Sequence, residues 1–215
     1  MNQVFLITGG SQGLGQALAE CVRQAGGQVA TVARHGSDIV GDVGEDAERI
    51  VGEVVQRFGR IDVLVNNASE LGPMDPLAAY PWQALERVLR VNVLAPLHLS
   101  QLALAAGARL IVNITSDAAV QAYPGWGGYA MSKAALEHQS RTVAAEGANV
   151  LLVDPGDMDT AMHRQAEPGV DLSHLPKADA VAPRVFEAIR RAGRGFQRIE
   201  AQKVEDIADQ VEVLS

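Results

Sequence analysis

Short apolar runs alternate with longer stretches of helical period along this chain. Val4-Phe5-Leu6-Ile7 is fully apolar and ends in a glycine-rich turn. Leu14, Ala17, Leu18, Cys21, Val22 and Ala25 then recur at helical spacing, and Gly26-Gly27 stops the helix. Residues 29–33 read as a second strand and 39–43 as a candidate third. Ala47, Ile50, Val51, Val54, Val55 and Phe58 make a helical stripe closed by Gly59. Further along, 61–65 reads as a buried strand, 82–106 as a helix, 110–114 as a strand, 129–145 as a helix and 150–153 as a strand. Residues 157–177 carry Pro, Gly and mixed charge without a period, and are expected to form a loop or lid. Residues 178–194 read as a helix, 196–202 as a last strand, and 203–215 as a short amphipathic helix or tail.

Apolar strands separated by helices imply a parallel sheet covered on both faces. The expected fold is a single α/β domain over residues 1–215, a doubly wound Rossmann-like sheet. One connection departs from that pattern. Only His35, Gly36, Ser37 and Asp38 lie between Arg34 and Ile39, whereas a parallel crossover normally takes about a dozen residues. The helix between strands 2 and 3 is therefore missing, and the third strand is either short or irregular.

Composition narrows the function classes. The 215 residues are 47% hydrophobic but only 4% aromatic, so the core is aliphatic. The net charge of -8 argues against a nucleic-acid binder, which needs a basic face. No uninterrupted apolar run approaches the ~18 residues of a membrane span. The N-terminus has no basic region and reaches Gly9 too early for a signal peptide. The single cysteine, Cys21, fits a reducing cytoplasm. Asp154, Asp157 and Asp159 surround a Pro-Gly turn without a partnering His motif, so no metal is expected.

The candidate chemistry begins at Thr8-Gly9-Gly10-Ser11-Gln12-Gly13-Leu14-Gly15, between the first strand and first helix. Glycines there let the backbone approach a pyrophosphate, and the helix N-terminus supplies amides and positive dipole. The TGxxxGxG spacing resembles the short-chain dehydrogenase/reductase family, and the resemblance continues in order. Asn66-Asn67-Ala68-Ser69 is similar to that family's NNAG, with Ser69 in place of glycine. Asn92 in Arg90-Val91-Asn92-Val93 matches its helix asparagine, Ser116 its catalytic serine, and Tyr129-Ala130-Met131-Ser132-Lys133 its YxxxK. Asp154-Pro155-Gly156-Asp157-Met158-Asp159-Thr160 resembles its PG-x-x-x-T segment.

A carbonyl reduction needs a hydride donor on one face and a proton donor at oxygen. Tyr129 is the acid–base candidate, and Lys133, one helical turn on, is expected to lower its pKa by charge. Ser116 can hydrogen-bond an oxygen that gains negative charge. The resemblance implies that Lys133 also holds the nicotinamide ribose and that Asn92 holds a water in a proton relay. It implies a sheet order of 3-2-1-4-5-6-7. It further implies cofactor contacts from Gly9, Ser11, Gln12, Gly13, Leu14, Gly15, Asn67, Ala68, Ser69, Tyr129, Lys133, Pro155, Gly156, Met158 and Thr160. The pair Asp42-Val43 is similar to the one that brackets adenine. Arg34 stands just beyond the position where an acid would select NAD, and an arginine there pairs with a 2′-phosphate. The expected cofactor is NADP(H), with NAD(H) left open.

The expected activity is hydride transfer between NADP(H) and a small carbonyl or alcohol. A catalytically weak NADP-binding sensor or scaffold of the same fold is the alternative. Residues 96–107 leave few polar positions around their helix, and Ala130, Ser132, Ala134 and Ala135 line the Tyr129 helix. In the resembled family these two helices pair with a second subunit, which implies a homodimer or homotetramer. Trp126 and Tyr123, between Ser116 and Tyr129, are candidates either for the substrate pocket or for plain packing.

Overall fold

A computed structural model describes residues 2–203; most of the expected 203–215 tail lies outside them. Seven parallel strands form one sheet in the order β3-β2-β1-β4-β5-β6-β7. They are β1 Val4–Thr8, β2 Gln28–Ala33, β3 Ile39–Val40, β4 Val63–Asn66, β5 Leu110–Ile114, β6 Val150–Asp154 and β7 Phe196–Glu200. The helices are α1 Gly13–Gln24, α2 Ala47–Phe58, α3 Trp82–Leu89, α4 Ala95–Ala105, α5 Gly127–Ala145, α6 Ala161–Ala166 and α7 Ala178–Arg191.

Every residue of β1, β4, β5 and β6 is buried, which is why these strands read as apolar runs rather than alternating ones. Alternation still decides which face each side chain serves. Phe5 and Ile7 pack with Leu14 and Leu18 of α1 and with Val185 and Phe186 of α7. Val4 and Leu6 turn to the other face, among Ile50 and Val54 of α2 and Leu99 and Ala103 of α4.

The missing crossover helix is real, and β3 is two residues long rather than the five of 39–43. Its two residues pair with Val32 and Ala33, so the chain needs to run back only a short way. Asp38 closes the loop: its carboxylate accepts from the Thr31 N–H at 2.9 Å and the Thr31 hydroxyl at 2.7 Å. Two further boundaries differ from expectation. The 82–106 helix contains a π-helical turn over Arg90–Leu94, between α3 and α4. The 157–177 segment is not all loop, because Thr160 caps α6 by accepting from the His163 N–H.

The helical stretch Trp82–Ala105 is long and apolar enough to cross a membrane by length and composition. Its inward residues Leu99 and Ala103 are instead buried in the core beside α2.

Candidate active site

A cleft of ≈ 550 Å³ opens along the carboxyl ends of the strands, where ligands of such sheets bind. Gly9, Ser11, Gln12, Gly13, Leu14, Arg34, Asp42, Val43, Asn67, Ala68, Ser69, Pro155, Gly156, Met158 and Thr160 all line it, as do Ser116, Tyr129 and Lys133. Gly15 and Asn92, also expected at the site, stand behind the cleft wall.

The glycine turn is shaped for an anion. Gly9 and Gly13 take φ values of 67° and 56°, which a side chain would strain. Gln12 precedes α1 without a capping bond from its side chain, so the first-turn N–H groups remain for a ligand. Gly15 permits a close approach: a Cβ there would stand 2.4 Å from the Gly9 carbonyl oxygen. Asn67 braces the turn, its Nδ2 donating to the Thr8 and Gly9 carbonyls at 2.8 and 3.2 Å. The Thr8 hydroxyl accepts from the N–H groups of Asn67 and Ala68, which ties β1 to β4 under the turn.

Ser116 leaves the end of β5, while Tyr129 and Lys133 project from one face of α5. Lys133 is buried, and its Nζ donates to the Ile114 carbonyl at 2.8 Å. It lies 5.4 Å from the centre of the Tyr129 ring. Burial pushes the Lys133 ammonium down to about 8, against the pull of the Asp154 carboxylate. The phenol moves opposite to expectation. Burial drives the Tyr129 pKa up, Asp154 adds to this, and the Ser69 and Ser116 hydroxyls work against it. In the free protein, desolvation outweighs any help from Lys133, whose ammonium faces the ring and a backbone carbonyl. Tyr129 is therefore protonated at neutral pH.

Asn92 sits in the π-helical turn with its carboxamide saturated. Nδ2 donates to the Glu70 carbonyl at 2.8 Å and the Ser132 hydroxyl at 2.9 Å. Oδ1 accepts from the Glu70 N–H at 2.7 Å and the Ser69 hydroxyl at 3.2 Å. An amide offers two donors and two acceptor positions, so this side chain has nothing left for a water. It clamps the 69–70 turn against α5.

The adenosine end holds residues that motif reading missed. Arg34 is exposed, and its Nη1 stands 3.9 Å from Glu70 Oε2. Arg87 Nε lies 3.9 Å from the same oxygen, and Nη2 donates to Asp42 Oδ2 at 2.7 Å. Burial would raise the Asp42 carboxyl, but Arg87 and the Gly44 N–H hold it below its ordinary value. The sequence offered no basic residue in the glycine turn and only His35 beside Arg34. Arg87 arrives from α3, far along the chain and outside any motif. Glu70 directly follows Ser69 and was open to detection.

Trp126 lines the substrate side, edge-on to the Tyr129 ring at 5.9 Å. Met158, Met162 and His163 also line the cleft, and Met162 packs against the same cluster as Trp126. Tyr123 packs against Trp126 and donates to Asp117 at 2.7 Å, outside the cleft lining.

A family model described as short chain dehydrogenase matches residues 38–171. Benzil reductase ((S)-benzoin forming) of Bacillus subtilis is 31% identical over 74% of this chain and 76% of its own. The (+)-borneol dehydrogenase 2 of Salvia officinalis is 28% identical over 83% of this chain and 70% of its own. Among solved structures, a short chain dehydrogenase of Escherichia coli complexed with NADPH superposes with a TM-score of 0.83. It is 25% identical and covers 94% of this chain and 98% of its own. The chain belongs to the short chain dehydrogenase family and is an oxidoreductase of that family, whose members bind nicotinamide cofactors.

Proposed function

We propose that this protein reduces a small carbonyl compound with NADPH, or runs the reverse oxidation, using Tyr129 as its acid–base group. The observation that carries this reading is the meeting of Ser116, Tyr129 and Lys133 at one end of a cleft whose other end is the glycine turn. When bound, the nicotinamide supplies or accepts the hydride. Tyr129 donates its phenolic proton to the carbonyl oxygen, and Ser116 hydrogen-bonds that oxygen as it gains charge. Lys133 holds positive charge beside the phenolate that remains and, as the family resemblance implies, would hold the nicotinamide ribose of a bound cofactor. Asn92 acts behind them by holding the Ser69–Glu70 turn. The two relatives' names support a carbonyl–alcohol pair on a largely apolar skeleton, and so does the wall of Trp126, Met158 and Met162.

Arg34 and Arg87 support NADP(H) over NAD(H), since either guanidinium can exchange Glu70 for a 2′-phosphate. Leu94 and Met131 are 59% and 39% exposed along the α4 and α5 stretch, which supports a homodimer or homotetramer through these helices. Lone Cys21 supports a cytoplasmic setting. The test is NADPH consumption across a panel of neutral ketones, diketones and aldehydes, run beside NADPH and NADH titrations. Turnover with tighter NADPH binding is expected. Binding without turnover on any substrate would contradict the enzymatic reading and favour the sensor; tighter NADH binding would contradict the role of Arg34.

A further inference from the structure

Asp154 ends β6, lines the cleft and is only 5% exposed. Strand register fixes its place. Ile114 pairs with Val153, and the Thr115 N–H donates to the Val153 carbonyl at 2.8 Å. Asp154 is thus the next residue along from the partner of Ile114, whose carbonyl receives Lys133. Two groups hold the carboxylate: the Gly156 N–H donates to Oδ1 at 2.9 Å, and Arg198 of β7 approaches Oδ2 at 3.8 Å.

Arg198 is shared. Its Nε donates to Glu137 Oε1 at 3.2 Å, and Nη1 lies 3.5 Å from Glu200. Glu137 is buried on α5, four residues beyond Lys133, so Tyr129, Lys133 and Glu137 occupy one helix face. It also accepts from the Thr115 hydroxyl at 3.0 Å and from Arg141 at 3.0 Å. One charge network therefore runs beneath both candidate catalytic elements, the end of β5 and the face of α5.

We propose that Asp154 keeps Lys133 charged beside Tyr129, and that Arg198 limits how strongly it does so. Both are positioning residues for the proton-handling pair, and the inference rests on that reading of the site. A carboxylate in a desolvated cleft favours the ammonium form of a neighbouring lysine, and a guanidinium on the same carboxylate weakens that field. The electrostatics agree in sign. Burial lowers Lys133 and Asp154 raises it; burial raises Asp154, and Gly156 and Arg198 lower it. Asp117 and Glu200 also face Asp154 and raise it, while Lys203 feels its charge from beyond β7.

The two substitutions should act in opposite directions. Asp154→Asn removes the supporting charge, so Lys133 should lose its proton at lower pH, by about one pH unit. Arg198→Met leaves the carboxylate uncompensated, so Lys133 should hold its proton to higher pH. Arg198→Lys should stay near the wild type. The chain has only three lysines, at 133, 177 and 203, so NMR titration of protein labelled at the lysine side chains resolves Lys133 without any substrate. The alkaline limb of the reductase pH profile should shift with it. Should Arg198→Met not fold, Arg198→Gln replaces it, and the Asp154→Asn shift remains decisive by its sign. A Lys133 titration unmoved by Asp154→Asn, or moved the same way by both variants, overturns the inference, even if both lower thermal stability. Opposite shifts in a protein that reduces no carbonyl would uphold the inference and sink the proposed reaction instead.

Discussion

The two ends of the cleft are built on different principles. At the chemical end, Tyr129 and Lys133 are buried on a 19-residue helix. Ser116 follows a five-residue strand whose every residue is buried. Their neighbours are tied by hydrogen bonds between distant parts of the chain, such as Asn92 to Ser132 and Thr115 to Glu137. At the adenosine end, Arg34 opens the helix-free loop between β2 and the two-residue β3, and its side chain is 64% exposed. There the organisation is electrostatic: two arginines and two carboxylates neutralise one another in the free protein. Chemistry demands fixed geometry and is given rigid, desolvated elements. Cofactor choice demands only a balance of charge, which exposed side chains supply.

Substitutions at the two ends should therefore fail in different ways. At the chemical end, Ser116 separates catalysis from cofactor binding. Ser116→Ala should lower kcat by about 10²–10³-fold while leaving NADPH affinity near the wild type, because the lost donor acts on a charge that develops during reaction. Steady-state kinetics beside a cofactor titration checks this; an equal loss in both would erase the distinction between the ends.

Lys133→Met should abolish turnover yet stabilise the fold by about 2 kcal/mol at neutral pH, since it relieves a buried ammonium. Lys133 titrates near 8 in the folded chain and has an ordinary value of 10.5. The unfolded state thus binds the proton more tightly, and the destabilising contribution is full below about pH 8. It fades as pH rises toward 10.5. Denaturant unfolding of wild type and variant at pH 7 and pH 10 should show the gap narrowing.

A smaller effect is expected at the other end. Arg34→Ala should weaken NADPH binding about tenfold with little change in kcat, and NADH binding should hardly move, because an exposed charge-assisted contact is worth little more. Arg87→Ala should follow the same pattern and also loosen Asp42, which would show as a modest loss in thermal midpoint. An effect of Arg34→Ala confined to kcat would break the comparison.

What the sequence disclosed follows the same division. The buried strands and the missing crossover helix were legible because apolar runs and a four-residue connection write themselves locally; the strand order and the candidate set Ser116, Tyr129 and Lys133 came from the family resemblance. Ser69 in place of glycine was also visible, and the structure gives its hydroxyl a partner in Asn92. The upward shift of Tyr129 was hidden, since burial depends on what covers the cleft and not on the nearest charge. Arg87 was hidden because it meets Asp42 across 45 positions of chain. Asp154 appeared in the sequence as one of three aspartates around a Pro-Gly turn, with no role of its own; its pairing with Arg198 needs β6 and β7 side by side. The short α6 was missed because a six-residue helix carries too little periodicity to read.

The proposed reaction turns on Tyr129 delivering the proton in an NADPH-dependent reduction. Its most direct test follows NADPH oxidation with a neutral diketone by the wild type and by Tyr129→Phe, after titration shows that both bind NADPH. Oxidation by the wild type is expected, with a loss of about 10²–10⁴-fold in the variant at matched cofactor saturation. Undiminished oxidation by Tyr129→Phe would contradict this role of Tyr129.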